Sequence, residues 1–523
     1  MVLDYDCLTI PQIKRMHIPL VTDKEEVEYY EPIETSWMWV AKYLDRPRGL
    51  SFGWKRGWTG VRIKDIKTAM GIYAPPGSGK TYLRLSITEV IKLWGKTNVI
   101  IDDRKLESVG MLLPGKWKLM TYPMRTANGF TVSNKYFPDW RTGTIGSIKD
   151  GLQPNACPPK DIKIWVPVTY EAVGDELIEE LMEWGVVEFY RFKPSFIMKH
   201  PWIISATTAA TELEKDAIDV AIEEVKKSIM EGKTTEFSLD LLGKIAKKQQ
   251  WAKRSNPQGK IKILEKSGLI SNETTFDYID TDKEKQSLKV TPIGEREIKK
   301  MLTPTVYPKD AKIHIFTTRY LSDSGVPDTK PFVANLLAFF GVKTGCSKEY
   351  NKRGAKKEEV FCHLPEAEFN LSPSGKIKGL QDIGRVFSAI YGTAIREDRD
   401  SALYHILDTQ NVTKLDDDVK ANQQTLFFMP GFRDPKQLEW ALRGVGRVSL
   451  DSSTLEYIIA KLGKRAENRG KAFLAGPNQA GEVWIRPRNT YHFQEEESKV
   501  GALKHYRKKY GLHFAEDWVR WDS

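Results

Sequence analysis

The segment Ala74–Thr81, APPGSGKT, constrains this chain more than any other eight residues. Gly77 and Gly79 bracket Ser78 directly before Lys80 and Thr81, the spacing of a phosphate-binding loop, with Ala74 at a first position where glycine is common. The glycines let backbone N–H groups converge on phosphate oxygens with no Cβ in the way. Lys80 reaches β- and γ-phosphates, Thr81 ligates magnesium, and the helix starting near Lys80 aims its positive end at the same anion. The flanks agree: TAMGIYA reads as a strand and TYLRLSITEVIKLW as a helix with no breaker. ATP and Mg2+ are the expected ligands, with Ala74, Gly77, Ser78, Gly79, Lys80 and Thr81 around the phosphates.

The rest of the chain supports a sheet for that loop. NVIIDDRK, KIWVPV, WIISAT, KIHIFTTRY, EVFCHL, YHILDT and TLFFMP are short apolar runs separated by helical stretches. This alternation predicts an α/β domain with a mainly parallel, buried sheet. It breaks between about residues 211 and 302. There Leu213, Ala217, Ala221, Val225 and Ile229 mark a helix, followed by FSLDLLGKIAKKQQW, GKIKILEKSGLIS and a polar hairpin-like stretch. Helices followed by a hairpin are the layout of a winged helix, an inserted α+β domain. Near the N-terminus, SFGWKRGWTGVRI reads as a basic, aromatic hairpin.

Composition narrows the class. The 523 residues are enough for two to four domains, and 41% hydrophobic content with 15 Trp argues for folded structure. No apolar run is long enough to span a bilayer, and MVLDYDCLTIPQ lacks a signal-peptide layout, so the expectation is a soluble, cytoplasmic protein. Cys7, Cys157, Cys346 and Cys362 lie far apart, which indicates neither a disulfide framework nor a zinc site. A net charge of +11 suits a polyanionic partner, although many basic proteins bind none.

A phosphate loop needs carboxylates across the sheet, one for the metal's water shell and one to orient attacking water. VFCHLPEAE, with Glu366 and Glu368 after a buried run, is the best strand end for them, and Pro365 stands where the first acid is usual. The same pattern also fits two solvent-facing glutamates. Further on, YHILDT is followed by Gln410. A glutamine at a strand end beside a γ-phosphate can hydrogen-bond it, and any α/β protein can also end a strand this way.

Taken in order, these motifs resemble the FtsK/HerA superfamily of hexameric DNA-pumping ATPases, over about two-thirds of the chain. The loop, VIIDDRK, KIHIFTTRYL with the helix KPFVANLLAFF, VFCHLPEAEF at the Walker B position, LDTQNVTKLDDDVKAN and the closing hairpin RGKAFLAGPNQAGEVWIRPRNTYH carry the likeness. The resemblance implies a RecA-like P-loop ATPase core. It implies Glu366 as catalytic base beside the metal, Gln410 as γ-phosphate sensor and an arginine from a neighbouring subunit, for which Arg396 and Arg399 are candidates. Two departures stand out: Pro365 at the Walker B aspartate position, which leaves metal holding to Thr81, phosphate and water or to Asp102 or Asp103, and the insertion itself.

The resulting organisation is an N-terminal segment at 1–66, a first stretch of the ATPase core at 67–210, the winged-helix-like insertion at 211–302, the remainder of the core at 303–490 and a tail at 491–523. Lys260, Lys262 and Lys266 suit phosphate contact better than base reading. The expectation is a homo-oligomeric, hexameric motor translocating double-stranded DNA, working with a nuclease or a membrane or capsid assembly and with no membrane span of its own. The alternatives are a nucleotide-gated DNA- or partner-binding assembly protein and a secretion or pilus ATPase.

Overall fold

The computed structural model describes residues 69–93, 96–113, 157–200, 203–205, 212–234, 237–249, 258, 261–262, 268–279, 284–302, 312–321, 329–346, 359–371, 381–397, 402–431, 438–439, 456, 459–460, 462, 471–476, 479–485, 488, 490–493 and 497–510, with strands at 19–20, 28–29, 37–43, 58–62, 117–126 and 129–138.

One 13-stranded sheet organises these residues. In chain order its strands are β1 (Trp37–Tyr43), β2 (Trp58–Arg62), β3 (Ala69–Tyr73), β4 (Thr97–Ile101), β5 (Ile162–Pro167), β6 (Val187–Phe192), β7 (Thr291–Ile293), β8 (Ile313–Phe316), β9 (Val360–Leu364), β10 (Leu403–Thr409), β11 (Gln423–Phe428), β12 (Lys471–Gly476) and β13 (Gln479–Ile485). Their spatial order is β7-β6-β5-β8-β4-β9-β10-β3-β11-β12-β13-β1-β2. All pairings from β7 to β11 are parallel, and those from β11 through β12, β13 and β1 to β2 are antiparallel. The strands β3, β4 and β9 are buried at every position, as expected where helices cover both faces of a parallel sheet. β10 lies between the P-loop strand β3 and the acid strand β9. That order is the α/β arrangement of a RecA-like P-loop core.

The covering helices are α1 (Lys80–Leu93), α2 (Glu176–Glu183), α3 (Glu212–Met230), α4 (Leu239–Lys248), α5 (Glu295–Leu302), α6 (Thr329–Gly345), α7 (Gln381–Glu397), α8 (Asp417–Ala421) and α9 (Lys499–Tyr510). α5 and α6 touch at glycine distance. A Cβ on Gly341 would fall 2.1 Å from Ile298, and one on Gly345 2.7 Å from Leu302. α9 docks on α2, where both oxygens of buried Glu180 accept from the Arg507 guanidinium, at 2.7 and 2.8 Å. Among the described residues no helix is long and apolar enough to cross a membrane.

Several expectations need correction. Residues 203–205 of WIISAT are helical, and the strand in this region is β6, Val187–Phe192. Short apolar runs do not distinguish the two states by periodicity. Of the expected N-terminal hairpin at 51–63, residues 51–57 lie outside the described residues, and 58–62 pair with the strand at 37–43 and extend the main sheet. The insertion contains α3, α4 and an exposed hairpin, Thr275–Ile279 with Lys285–Lys289. Its last residues, 291–302, run as β7 on the edge of the core sheet and as α5 against α6. Ile218, Ile222, Val225, Phe237, Leu242 and Ile261 share one buried cluster with Phe192, Phe196, Phe316 and Leu337 of the core. The insertion is therefore built onto the sheet and has no separate core among the described residues.

Candidate nucleotide site

The site forms where β3, β9 and β10 end side by side. β3 runs into the loop at Ala74, whose N–H donates to the Thr409 carbonyl at 3.1 Å, tying the loop to β10. Gly77 (φ 71°) and Gly79 (φ 96°) take the left-handed backbone that glycine alone adopts freely. Between them the Ser78 hydroxyl donates to the Pro75 carbonyl at 2.6 Å. Lys80 and Thr81 open the 14-residue helix α1, so its unpaired N–H groups face the loop.

Three of the predicted residues converge here. The Gln410 side-chain amide donates to Glu366 Oε1 at 3.2 Å, and the Lys80 ammonium lies 3.8 Å from that oxygen. The backbone N–H of Gln410 donates to Glu368 Oε1 at 3.0 Å, while the other Glu368 oxygen is buried with no hydrogen-bond partner. Glu366 is half exposed and has a left-handed backbone, φ 46° and ψ 49°. That turn lifts its carboxylate off the end of β9 towards the loop.

Two residues of this cluster carry no weight in the motif pattern. Asp408, next to last in β10, is 1% exposed. Its Oδ1 lies 3.1 Å from Lys80 Nζ and accepts the Glu366 N–H at 2.9 Å, and its Oδ2 lies 2.9 Å from Arg84 Nε. The lysine and arginine contacts are charge contacts, not directed hydrogen bonds, and Arg84 Nη1 is buried without a hydrogen-bond partner. Arg84 sits one turn after Lys80 on α1. Two buried cations, Lys80 and Arg84, thus face the one buried carboxylate of Asp408, with Glu366 balancing the charge at the rim. Burial, together with the charge of Arg84, holds the His363 imidazole well below its ordinary pKa, so it is neutral, with Nε2 2.8 Å from Asn98 Oδ1. A signal for Asp408 did exist: an acid inside the apolar strand YHILDT has to find a partner or cost dearly.

Asp102 and Asp103 are committed elsewhere. Asp102 accepts from Arg104 at 2.9 Å, from Asn370 at 3.0 Å and from the Thr318 hydroxyl. Asp103 accepts the N–H groups of Glu107 and Ser108 at 3.2 and 3.0 Å. Arg396 is exposed on α7, 3.8 Å from Asp418. α7 leads into the start of β10, so Arg396 lies at the opposite edge of the sheet from Lys80, about 20 Å away along the strands. Lys262 is exposed. Arg399, Lys260 and Lys266 lie outside the described residues.

Among the described residues no group of three His, Cys, Asp or Glu side chains forms a metal cage. The donor set still fits magnesium, which prefers one or two protein oxygens, phosphate and several waters. Thr81 and the neighbouring carboxylates would provide the protein share.

No family model and no curated protein matches the sequence. Among solved structures the chain is similar to VirB4 of Thermoanaerobacter pseudethanolicus, at 15% identity and a TM-score of 0.45 over 85% of this chain and 98% of that one. It is also similar to plasmid coupling protein TrwB in complex with a non-hydrolysable ATP analogue, at 13% identity and a TM-score of 0.45 over 88% and 96%. A third is the genome packaging NTPase B204 of Sulfolobus turreted icosahedral virus 2, at 17% identity and a TM-score of 0.21 over 36% and 74%. At these values the likeness assigns no residue a role.

Proposed function

We propose that this chain is an ATP-hydrolysing motor that translocates double-stranded DNA as a hexameric ring. The observation that supports hydrolysis is the convergence of Lys80, Glu366 and Gln410 at the ends of three adjacent strands. Lys80 turns from Asp408 to the β- and γ-phosphates. Glu366 takes the proton of the attacking water, and Gln410, already bonded to Glu366, reports the γ-phosphate to it. Magnesium, when bound beside Thr81 and Glu366, neutralises the charge developing on the phosphates. Arg396 cannot serve its own site from the opposite sheet edge, which leaves it, or Arg399, for a neighbouring subunit. Lys262, with Lys247 and Lys248 exposed on α4, supplies cations for the DNA backbone, joined by Lys260 and Lys266.

The test is ATP turnover with and without double-stranded DNA. Hydrolysis stimulated by DNA and lost in Lys80→Ala is expected. Absence of stimulation by any DNA form overturns the motor. A second reading, a nucleotide-gated assembly protein, is favoured by the closed Lys80–Asp408 pair and by Pro365. It predicts tight nucleotide binding with turnover at background. The secretion or pilus reading predicts no DNA gel shift, whereas the motor predicts one that weakens steeply with salt.

A further inference from the structure

We infer that Asp408 supplies the metal-holding carboxylate that Pro365 cannot, from the strand next door. This rests on the nucleotide-hydrolysing reading above. β9 and β10 are parallel with Leu364 opposite Leu407, so continuing that register by one step sets Pro365, the first residue after β9, opposite Asp408. Moving the acid from one strand to the other carries it ~4.8 Å closer to β3. There Asp408 is paired with Ile72, two residues before the loop begins.

The environment of Asp408 is that of a carboxylate held ready. It is all but completely buried and faces both Lys80 and Arg84. When Lys80 moves to phosphate, Arg84 remains as the counter-charge, and the Asp408 oxygen that faced Lys80 is released beside the loop. Neither cation gives Asp408 Oδ2 a directed hydrogen bond, so acceptor capacity is left over for a metal-bound water. The Glu366 N–H on Oδ1 fixes the carboxylate relative to the proposed base. A carboxylate serving only to anchor Lys80 would not need Arg84 as well.

The experiment is calorimetric binding of a slowly hydrolysed ATP analogue in Mg2+ and in EDTA. In the wild type, Mg2+ is expected to tighten binding by about tenfold or more. In Asp408→Asn the gain is expected to shrink below about twofold, with affinity in EDTA kept or raised because Lys80 is released. Returning the acid to the other strand, in Pro365→Asp/Asp408→Asn, is expected to restore the gain. A full Mg2+ gain in Asp408→Asn, or no recovery in the double variant, overturns the inference. Should circular dichroism show Asp408→Asn unfolded by the unpaired buried Arg84, the same comparison is made in an Arg84→Met background. A folded wild type that binds no nucleotide removes the hydrolytic reading itself. An Mg2+ gain that survives Asp408→Asn removes only the role of Asp408.

Discussion

Helix α1 carries two buried charge clusters, and they differ in how completely they are satisfied. At its start, Lys80 and Arg84 share the single buried carboxylate of Asp408, and donors on both cations lack directed hydrogen bonds. Further along, Glu89 meets Arg488, both almost fully buried, and there the pairing is complete. Glu89 Oε1 accepts from Arg488 Nε at 3.0 Å and from the hydroxyl of Thr490. Arg488 also donates to Thr490 at 2.6 Å, faces His492 Nδ1 at 3.4 Å, and its backbone N–H donates to the Tyr82 hydroxyl at 2.7 Å. Burying charge is costly unless hydrogen bonds complete the pair. The complete cluster stitches the segment after β13 to α1. The incomplete one keeps unused hydrogen-bonding capacity beside the phosphate loop.

The two clusters are expected to respond in opposite ways to mutation. Glu366→Gln, at the rim of the open cluster, is expected to lower turnover by about 10²–10⁴-fold with nucleotide affinity retained, measured by steady-state hydrolysis and analogue binding. Intact turnover would pass the base role to Glu368. Glu89→Gln, in the closed cluster, is expected to cost about 3–5 kcal/mol of stability by removing the charge that opposes buried Arg488, read from urea unfolding, with the Mg2+ dependence of nucleotide binding unchanged in the folded fraction. Gln410→Ala removes one hydrogen bond to a charged acceptor and is expected to lower turnover by about tenfold. The smallest effect is acidic. Away from both clusters, burial lowers the pKa of His314 from 6.5 to about 4, its Nδ1 accepting from Trp165 Nε1 and its Nε2 facing the Met301 carbonyl. A group depressed on folding binds fewer protons in the native state, so its contribution is complete above pH 6.5 and is lost as pH falls from there towards 4. The urea midpoint is therefore expected to drop from pH 7 to pH 5, and less so in His314→Gln. A midpoint equally flat in both proteins removes this role.

Sequence alone reached the loop and the acid and glutamine that the structure places beside Lys80, because each follows a strongly apolar run, but not the spatial order of the strands. Asp408 escaped for a physical reason. Its partnership with position 365 is lateral, set by the register of β9 against β10, and nothing along the chain encodes that register. β6 escaped because Glu188 and Arg191 interrupt its apolar run. Each is answered only by a distant partner, Thr291 with Lys163 for the first and Glu273 for the second. The 13-strand width was hidden too, since β1 and β2 join through β13, more than 400 residues away along the chain.

The left-handed turn at Glu366 has a consequence for descent. A side chain there costs roughly 1–2 kcal/mol that glycine would not incur, with asparagine next most tolerant. Selection for a stable chain alone pushes this position towards those two residues, and only a requirement for the carboxylate opposes it. Relatives that have abandoned hydrolysis should drift to glycine or asparagine here first, while their phosphate loops still look intact. Under the proposed base role, position 366 would thus record which members of a lineage still turn over nucleotide.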